Sequence, residues 1–333
     1  MEKKYKIEYK GKSINTKNWL PVTEEELKQY REEYYKKPSL DMVINQMGKI
    51  NNGGVMIDKI TRYYFRPLMA QTLVDKAKWT VDDIFNNTDL CGIFKSKVVN
   101  SPQVFNPKEK MSYNIERAIS LGGKGYARIP TQFPFKAADY ILKNYNLNNN
   151  YYDFSCGWGV RLLAALKYNI NYYGTDPNDK LCTQLNQMVT DYKSVYKKNN
   201  IIKIYTQGSE IFIPELENKI GLCFSSPPYF SLEDYRYGNQ SYKPNMSYQE
   251  WLKNYLYPTL DNSYKYLISN GILAINIKNT DYSIATDANS YLATKMTFVE
   301  SIPLKNIKRL KSNGGLTNST DEEIYIYKKQ LDK

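Results

Sequence analysis

Apolar and polar positions along the second half of this chain alternate between two periods. Beyond residue 150, apolar runs recur at 151–155, 171–175, 201–206, 221–225, 272–278, 297–302 and 323–327. The run Ile272-Leu273-Ala274-Ile275-Asn276-Ile277 is nearly continuous, the pattern of a strand buried on both faces. Between the runs, residues 160–168, 179–198 and 247–266 place apolar side chains three and four apart, as helices lying on a sheet do. Pro258 interrupts the last of them. The alternation predicts an α/β fold, a doubly wound sheet of seven strands with helices on its faces.

The first 110 residues read differently. Thr23 with Glu26 makes a capping box, and Leu27, Tyr30 and Tyr34 follow at helical spacing until Lys36-Lys37-Pro38. Asn51-Asn52-Gly53-Gly54 is a turn signal, and residues 60–78 form another helical stretch that Pro67 breaks or begins. Only amphipathic helical pieces and loops are expected here. Lys59, Arg62, Tyr63, Tyr64 and Arg66 interleave cations with rings. Such a cluster is either a phosphate- and base-contacting surface or the packed face of an ordinary helix.

Two stretches carry candidate chemistry. The first follows the 151–155 run: Gly157-Trp158-Gly159 makes a tight turn into a helix, and the next strand closes at Asp176, 19 residues beyond Gly157. Glycines let backbone approach a ligand, and an acid at that distance can accept two ribose hydroxyls. Leu162 stands where a third glycine would allow a dinucleotide pyrophosphate, so a cofactor without phosphates fits better. The second stretch is Ser226-Pro227-Pro228-Tyr229, after Gly221-Leu222-Cys223-Phe224-Ser225. Paired prolines force the chain out of the sheet into a stiff turn. A hydroxyl, two carbonyls and a ring are then held together, a set that suits a planar base carrying an exocyclic amine.

Ser226-Pro227-Pro228-Tyr229 resembles the catalytic tetrad of S-adenosylmethionine-dependent amino-methyltransferases, in the form common in cytosine-N4 DNA methyltransferases, with Asp234-Tyr235 like its downstream part. Asp153 to Gly159 resembles the first motif of class I methyltransferases. Pro130-Thr131-Gln132-Phe133-Pro134 partly resembles the segment that holds the methionine end of the cofactor, with Phe133 in place of a lysine. Thr131 is otherwise a plain helix cap. The glycine motif precedes the tetrad, an order unlike that usual for the Ser-Pro-Pro-Tyr enzymes, which leaves cytosine and adenine both open. The resemblance covers about residues 126–330. It implies a class I methyltransferase Rossmann-like sheet at 111–333 and an accessory or target-recognition region at 1–110. Ser226, Pro227, Pro228 and Tyr229 would be catalytic. Thr131, Asp153, Ser155, Gly157, Gly159 and Asp176 would bind S-adenosylmethionine, and Ser209 or Gln207 would meet its adenine.

Composition narrows the field. There is no histidine among 333 residues, which excludes histidine-based triads and most hydrolase chemistry. Cys91, Cys156, Cys182 and Cys223 make no C-x-x-C pair, so no metal site is expected. No apolar run is long enough to span a membrane and no signal peptide opens the chain, so a cytoplasmic protein is expected. Net charge of +12 with 32 tyrosines suits a nucleic-acid partner, double-stranded DNA first, although AT-rich coding gives the same composition. The expected activity is methylation of cytosine N4 or adenine N6 in DNA. The alternatives are an RNA base or a protein glutamine as acceptor, or an inactive nucleic-acid-binding homologue.

Overall fold

A computed structural model describes residues 5–17, 19–52, 56–74, 77–122, 126–236, 239–304 and 322–330. Its contacts fall into two compact units. One comprises Met1–Pro38, Phe65–Thr131 and Ser231–Arg236, and the other Ser39–Tyr64, Gln132–Phe230 and Tyr237–Lys333. A single cut near residue 110 is therefore not how the chain divides. The Met111–Gly122 helix packs on Glu24–Tyr35 and Thr88–Val99, and its Ile115, Ala118 and Ile119 belong to the first unit's core.

The second unit holds the seven strands: β1 (Asn150–Asp153), β2 (Asn171–Thr175), β3 (Ile202–Tyr205), β4 (Ile220–Ser225), β5 (Leu267–Ile277), β6 (Thr297–Pro303) and β7 (Glu323–Lys328). Their order across the sheet is β6-β7-β5-β4-β1-β2-β3. Neighbours pair in parallel except β7, which runs antiparallel to both β5 and β6. Each βα crossover places a helix on a face of the sheet, and the strand order reverses direction between β1 and β4, where such sheets leave a crevice at their carboxyl ends. β4 is buried along its whole length, as a central strand covered on both faces must be. Tyr152, Leu273, Ile275 and Ile277 from the sheet pack against Trp251, Leu256, Leu260 and Tyr266 from the preceding helical segments. That segment is not one regular helix. Tyr248–Trp251 widens into a π-type turn at Leu252–Leu256 before Tyr257–Tyr266, because Pro258 has no N–H to offer the upstream turn.

The first unit has its own core, with Tyr34, Trp79, Phe85, Phe94, Ile115 and Ile119 among its members. It opens with a hairpin that helix and loop expectations missed: Tyr5–Tyr9 pairs antiparallel with Lys12–Thr16, and Ile7 faces Ile14. Lys10 and Gly11 turn it at φ of 49° and 69°, the left-handed pair that two-residue hairpins require. Pro67 neither breaks nor begins its helix but lies inside Ile57–Gln71. Burial of Ile60, Tyr64, Phe65, Leu68 and Met69 outweighs a proline penalty of about 3 kcal/mol.

Two of the five residues in the interleaved cluster, Arg66 and Tyr64, are structural. Arg66 bonds the Tyr34 carbonyl, lies over the Tyr34 ring and pairs with Glu116 at 3.4 Å. The buried Tyr64 donates to Asp191 Oδ2 at 2.7 Å. Cys91, Cys156, Cys182 and Cys223 are free and buried, with their thiols pushed up by burial, Cys91 and Cys182 to about 12. Among the described residues, no helix is long and apolar enough to cross a membrane. The basic, glycine-containing stretch at 309–315 of the sequence lies outside the described residues.

Candidate active site

The tetrad leaves the carboxyl end of β4, beside β1. Tyr151 Oη donates to the Phe224 carbonyl at 2.8 Å, and Ser225 Oγ donates to the Ser155 carbonyl at 3.3 Å. These bonds bring the glycine turn and the tetrad within reach of each other. Pro227 is buried, while Ser226, Pro228 and Tyr229 are partly exposed. Asn276 Nδ2 donates to Ser226 Oγ at 3.3 Å and to Glu322 Oε1 at 2.6 Å, and Tyr229 Oη donates to the same Glu322 oxygen at 3.1 Å.

Phe230 closes the turn at φ of 28°, a backbone region costly for a bulky residue. Its ring compensates by packing edge-on to Tyr242 at 5.3 Å and Tyr282 at 4.9 Å, with Trp251 and Tyr248 beside it. The stretch beyond is not a plain loop. Glu233–Asp234 pairs antiparallel with Leu73–Val74 in the first unit, and burial pushes the Glu233 carboxyl above its ordinary range.

On the other side, β1 ends at Asp153, whose fully buried carboxylate is turned inward. It accepts from Arg161 Nε and from Tyr172 Oη, each at 3.0 Å, and from the Ser155 N–H at 3.3 Å. Arg161 also bonds the Ser155 carbonyl and lies over the Phe133 ring. Asp153 and Ser155 thus build the turn, and their bonds are made within the protein. Gly157 and Gly159 have φ of 53° and 73°, and Gly159 starts the Val160–Tyr168 helix. A Cβ on Gly157 would meet nothing closer than 3.9 Å. The glycine there answers to conformation and leaves open room above the turn.

Asp176 ends β2 and is 9% exposed. Burial pushes its carboxyl up to about 7, although the backbone N–H groups of Asn178 and Gly157 favour its charged form. A carboxylate so placed, next to a glycine turn, is a buried acceptor that its two backbone donors only partly offset against burial.

Ser209 is spent on the helix behind it: Oγ shares a 2.8 Å bond with Thr259 Oγ1, and its carbonyl accepts from Asn262 at 2.9 Å. Gln207 donates to the Ile211 carbonyl at 3.1 Å. Glu210, one residue beyond Ser209, has Oε2 buried with no hydrogen-bond partner among the described residues. Thr131 is exposed and falls in the first unit. It is not the cap of the Phe135–Tyr145 helix, which Pro134 occupies.

Sequence reasoning missed Arg161, Asn276, Glu322, Glu210 and Gly174. A Cβ on Gly174 would lie 2.5 Å from Cys156 Sγ and 2.6 Å from the Tyr172 ring, so the strand behind the turn tolerates only hydrogen there. An arginine inside an otherwise apolar helix, Val160-Arg161-Leu162-Leu163, was a readable signal, since buried charges are paired.

The sheet order, with one reversed strand and both loops at the carboxyl ends of adjacent parallel strands, is the doubly wound, Rossmann-like arrangement that the resemblance in sequence implied. No family model and no curated protein matches the chain. Solved structures similar to it include a tRNA (m1A58) methyltransferase from Aquifex aeolicus, 11% identical, covering 61% of this chain and 72% of that one at a TM-score of 0.42. An S-adenosylmethionine-dependent O-methyltransferase from Thermotoga maritima is 10% identical, over 62% and 69%, at 0.41. An rRNA methylase from Streptococcus thermophilus is 12% identical, over 61% and 99%, at 0.40.

Proposed function

We propose that the chain is an S-adenosylmethionine-dependent amino-methyltransferase that acts on an exocyclic amine of a DNA base, cytosine N4 or adenine N6. The observation that carries the reading is the Ser225 to Ser155 bond, which ties Ser226-Pro227-Pro228-Tyr229 to the turn containing Gly157 and Gly159. The motif that would hold the base and the turn that would hold the nucleoside thereby lie side by side.

The residues fit the cofactor. Gly157 leaves room over the turn, Gly159 supplies the left-handed start of the helix, and Asp176 is a buried acceptor suited to a ribose diol. Glu210 Oε2, buried without a partner among the described residues, is an acceptor of the kind an adenine amine needs. When bound, S-adenosylmethionine supplies an electrophilic methyl on a sulfonium that departs as a neutral thioether, so no histidine is required.

The protein's own task is to prepare the amine. An exocyclic amine conjugated with its ring is a weak nucleophile. Hydrogen bonds from the amine to Ser226 Oγ and the Pro227 carbonyl pyramidalise it and orient its lone pair. Tyr229 stacks on a base drawn out of the duplex. The nitrogen, positively charged on gaining the methyl, then releases a proton to solvent. Net charge of +12 favours a polyanionic substrate.

The test is transfer from tritiated S-adenosylmethionine to unmethylated duplex DNA, RNA and protein in parallel, with mass spectrometry of the labelled nucleosides. N4-methylcytosine or N6-methyladenine in DNA is the expected product. Label confined to RNA or protein overturns the substrate, and full DNA methylation by Ser226→Ala overturns the role of the tetrad.

A further inference from the structure

We infer that Asn276 and Glu322 are positioning residues that hold Ser226 and Tyr229 in their working geometry, an inference that rests on the transfer reaction proposed above. Asn276 is the single polar side chain in the run Ile272-Leu273-Ala274-Ile275-Asn276-Ile277 and is 1% exposed. Strand packing alone would be served by another aliphatic residue at this place. Instead its Nδ2 reaches Glu322 Oε1 at 2.6 Å and Ser226 Oγ at 3.3 Å.

Glu322 decides which way the amide faces. A carboxylate accepts and does not donate, so Asn276 must turn its NH2 toward Glu322 and its carbonyl away. Both amide hydrogens are then engaged, and Ser226 receives a donor rather than an acceptor. One lone pair of Ser226 Oγ is consumed, its hydroxyl rotor is fixed, and the other lone pair remains for an incoming N–H. The same Glu322 oxygen takes the Tyr229 hydroxyl at 3.1 Å. One oxygen therefore governs both ends of the tetrad, directly at the ring and through the amide at the serine.

Asn276 Oδ1, turned the other way, is buried with no hydrogen-bond partner among the described residues. Such an atom disfavours folding, and a strand that keeps it keeps the donor face of the amide for a reason other than stability. Neither Asn276 nor Glu322 needs to touch the base.

The experiment uses the purified full chain with Asn276→Ala, Asn276→Asp, Glu322→Ala and Glu322→Gln. Asn276→Ala and Glu322→Ala are expected to lower kcat roughly tenfold to a hundredfold. Affinity for S-adenosylmethionine, read by calorimetry, should hold within about twofold, because nothing that binds it has changed. Glu322→Gln keeps an acceptor oxygen and should recover part of the loss. In Asn276→Asp the new carboxyl donates to Ser226 only while it holds its own proton. Once that proton is lost nothing donates to Ser226, so kcat should gain a limb falling with rising pH that the parent lacks. A purely structural role moves melting temperature but creates no such limb. Unchanged kcat in Asn276→Ala, or a parental pH profile in Asn276→Asp, overturns the inference.

A second readout needs no turnover. The Asn276 side-chain amide signal in 15N NMR, assigned by its loss in Asn276→Asp, should move in Ser226→Ala and again in Glu322→Gln. If it moves in neither, the network is absent whatever the protein methylates. If it moves while the parent transfers to nothing, the network stands and the reading of the reaction fails.

Discussion

Replacing Asp176 with asparagine separates what the carboxylate does for a ligand from what it costs the fold. Burial raises the Asp176 carboxyl from its ordinary 3.8 to about 7 in the folded chain. A raised folded value means the folded state holds the proton more tightly than the unfolded one. The stability this gives is fully present below pH 3.8 and is lost as pH rises through 7. Each pH unit of that interval is worth about 1.4 kcal/mol, so at pH 8 the ionised group costs the ligand-free protein about 4 kcal/mol.

Asparagine keeps an acceptor for the Asn178 N–H but adds an NH2 that must find partners, which offsets part of the gain. A net stabilisation of about 2 kcal/mol is expected, or about 4–8 °C in melting temperature at pH 8. As pH is lowered to 4 the gain disappears while the NH2 penalty stays, so the variant should become less stable than the parent by about 1–2 kcal/mol. Affinity for S-adenosylmethionine should fall in the same variant by about tenfold to a hundredfold, because the ribose loses its charged acceptor. In the parent, the ionised fraction drops from about nine-tenths at pH 8 to about one-tenth at pH 6, so Kd should weaken about tenfold over that range. Scanning calorimetry and titration calorimetry across pH read both effects. A variant destabilised equally at pH 8 and pH 4, or a parental Kd that stays flat from pH 8 to 6, refutes the reasoning.

Three further outcomes are expected. Ser226→Ala should lower kcat by about a hundredfold while calorimetric affinity for S-adenosylmethionine is unchanged. Arg161→Met leaves Asp153 buried without its cation and should cost about 3–5 kcal/mol in urea unfolding; adding Asp153→Asn should restore part of that, since the two side chains form one unit. Gly174→Ala forces a methyl against Cys156 Sγ and the Tyr172 ring and should destabilise by about 1–3 kcal/mol, read by the same melt.

The seven strands were legible because each is a compact β-branched or aromatic run, and β4 through Ser225 and β2 through Thr175 end where the sequence pattern ends. Placing Gly157, Asp176 and Ser226 near strand ends needed only those boundaries. What the sequence hid was partnership. Asp153 looked like a ligand residue because its position in the motif was visible, whereas the claim on it by Arg161 and Tyr172 depends on how the turn folds back. Ser209 looked available until Thr259 and Asn262, 50 and 53 positions away, took it. Glu322 lies 93 positions from Tyr229, beyond the reach of any local pattern. In the first unit, the alternation of Ile7 and Ile14 about Lys10-Gly11 was a hairpin signal obscured by the surrounding charges. Pro67 was read by its propensity, and packing overrode it.

The buried thiols make the molecule its own chemical clock. A cysteine reacts with an alkylating reagent as the thiolate, and Cys91 and Cys182, with values near 12, along with Cys156 and Cys223, offer almost none while folded. Modification must then wait for a local opening, and its rate reports how often that opening occurs. Cys91 belongs to one unit and Cys156, Cys182 and Cys223 to the other. A timed pulse of iodoacetamide followed by peptide mass spectrometry therefore reads the breathing of the two units separately in a single sample, with no label introduced.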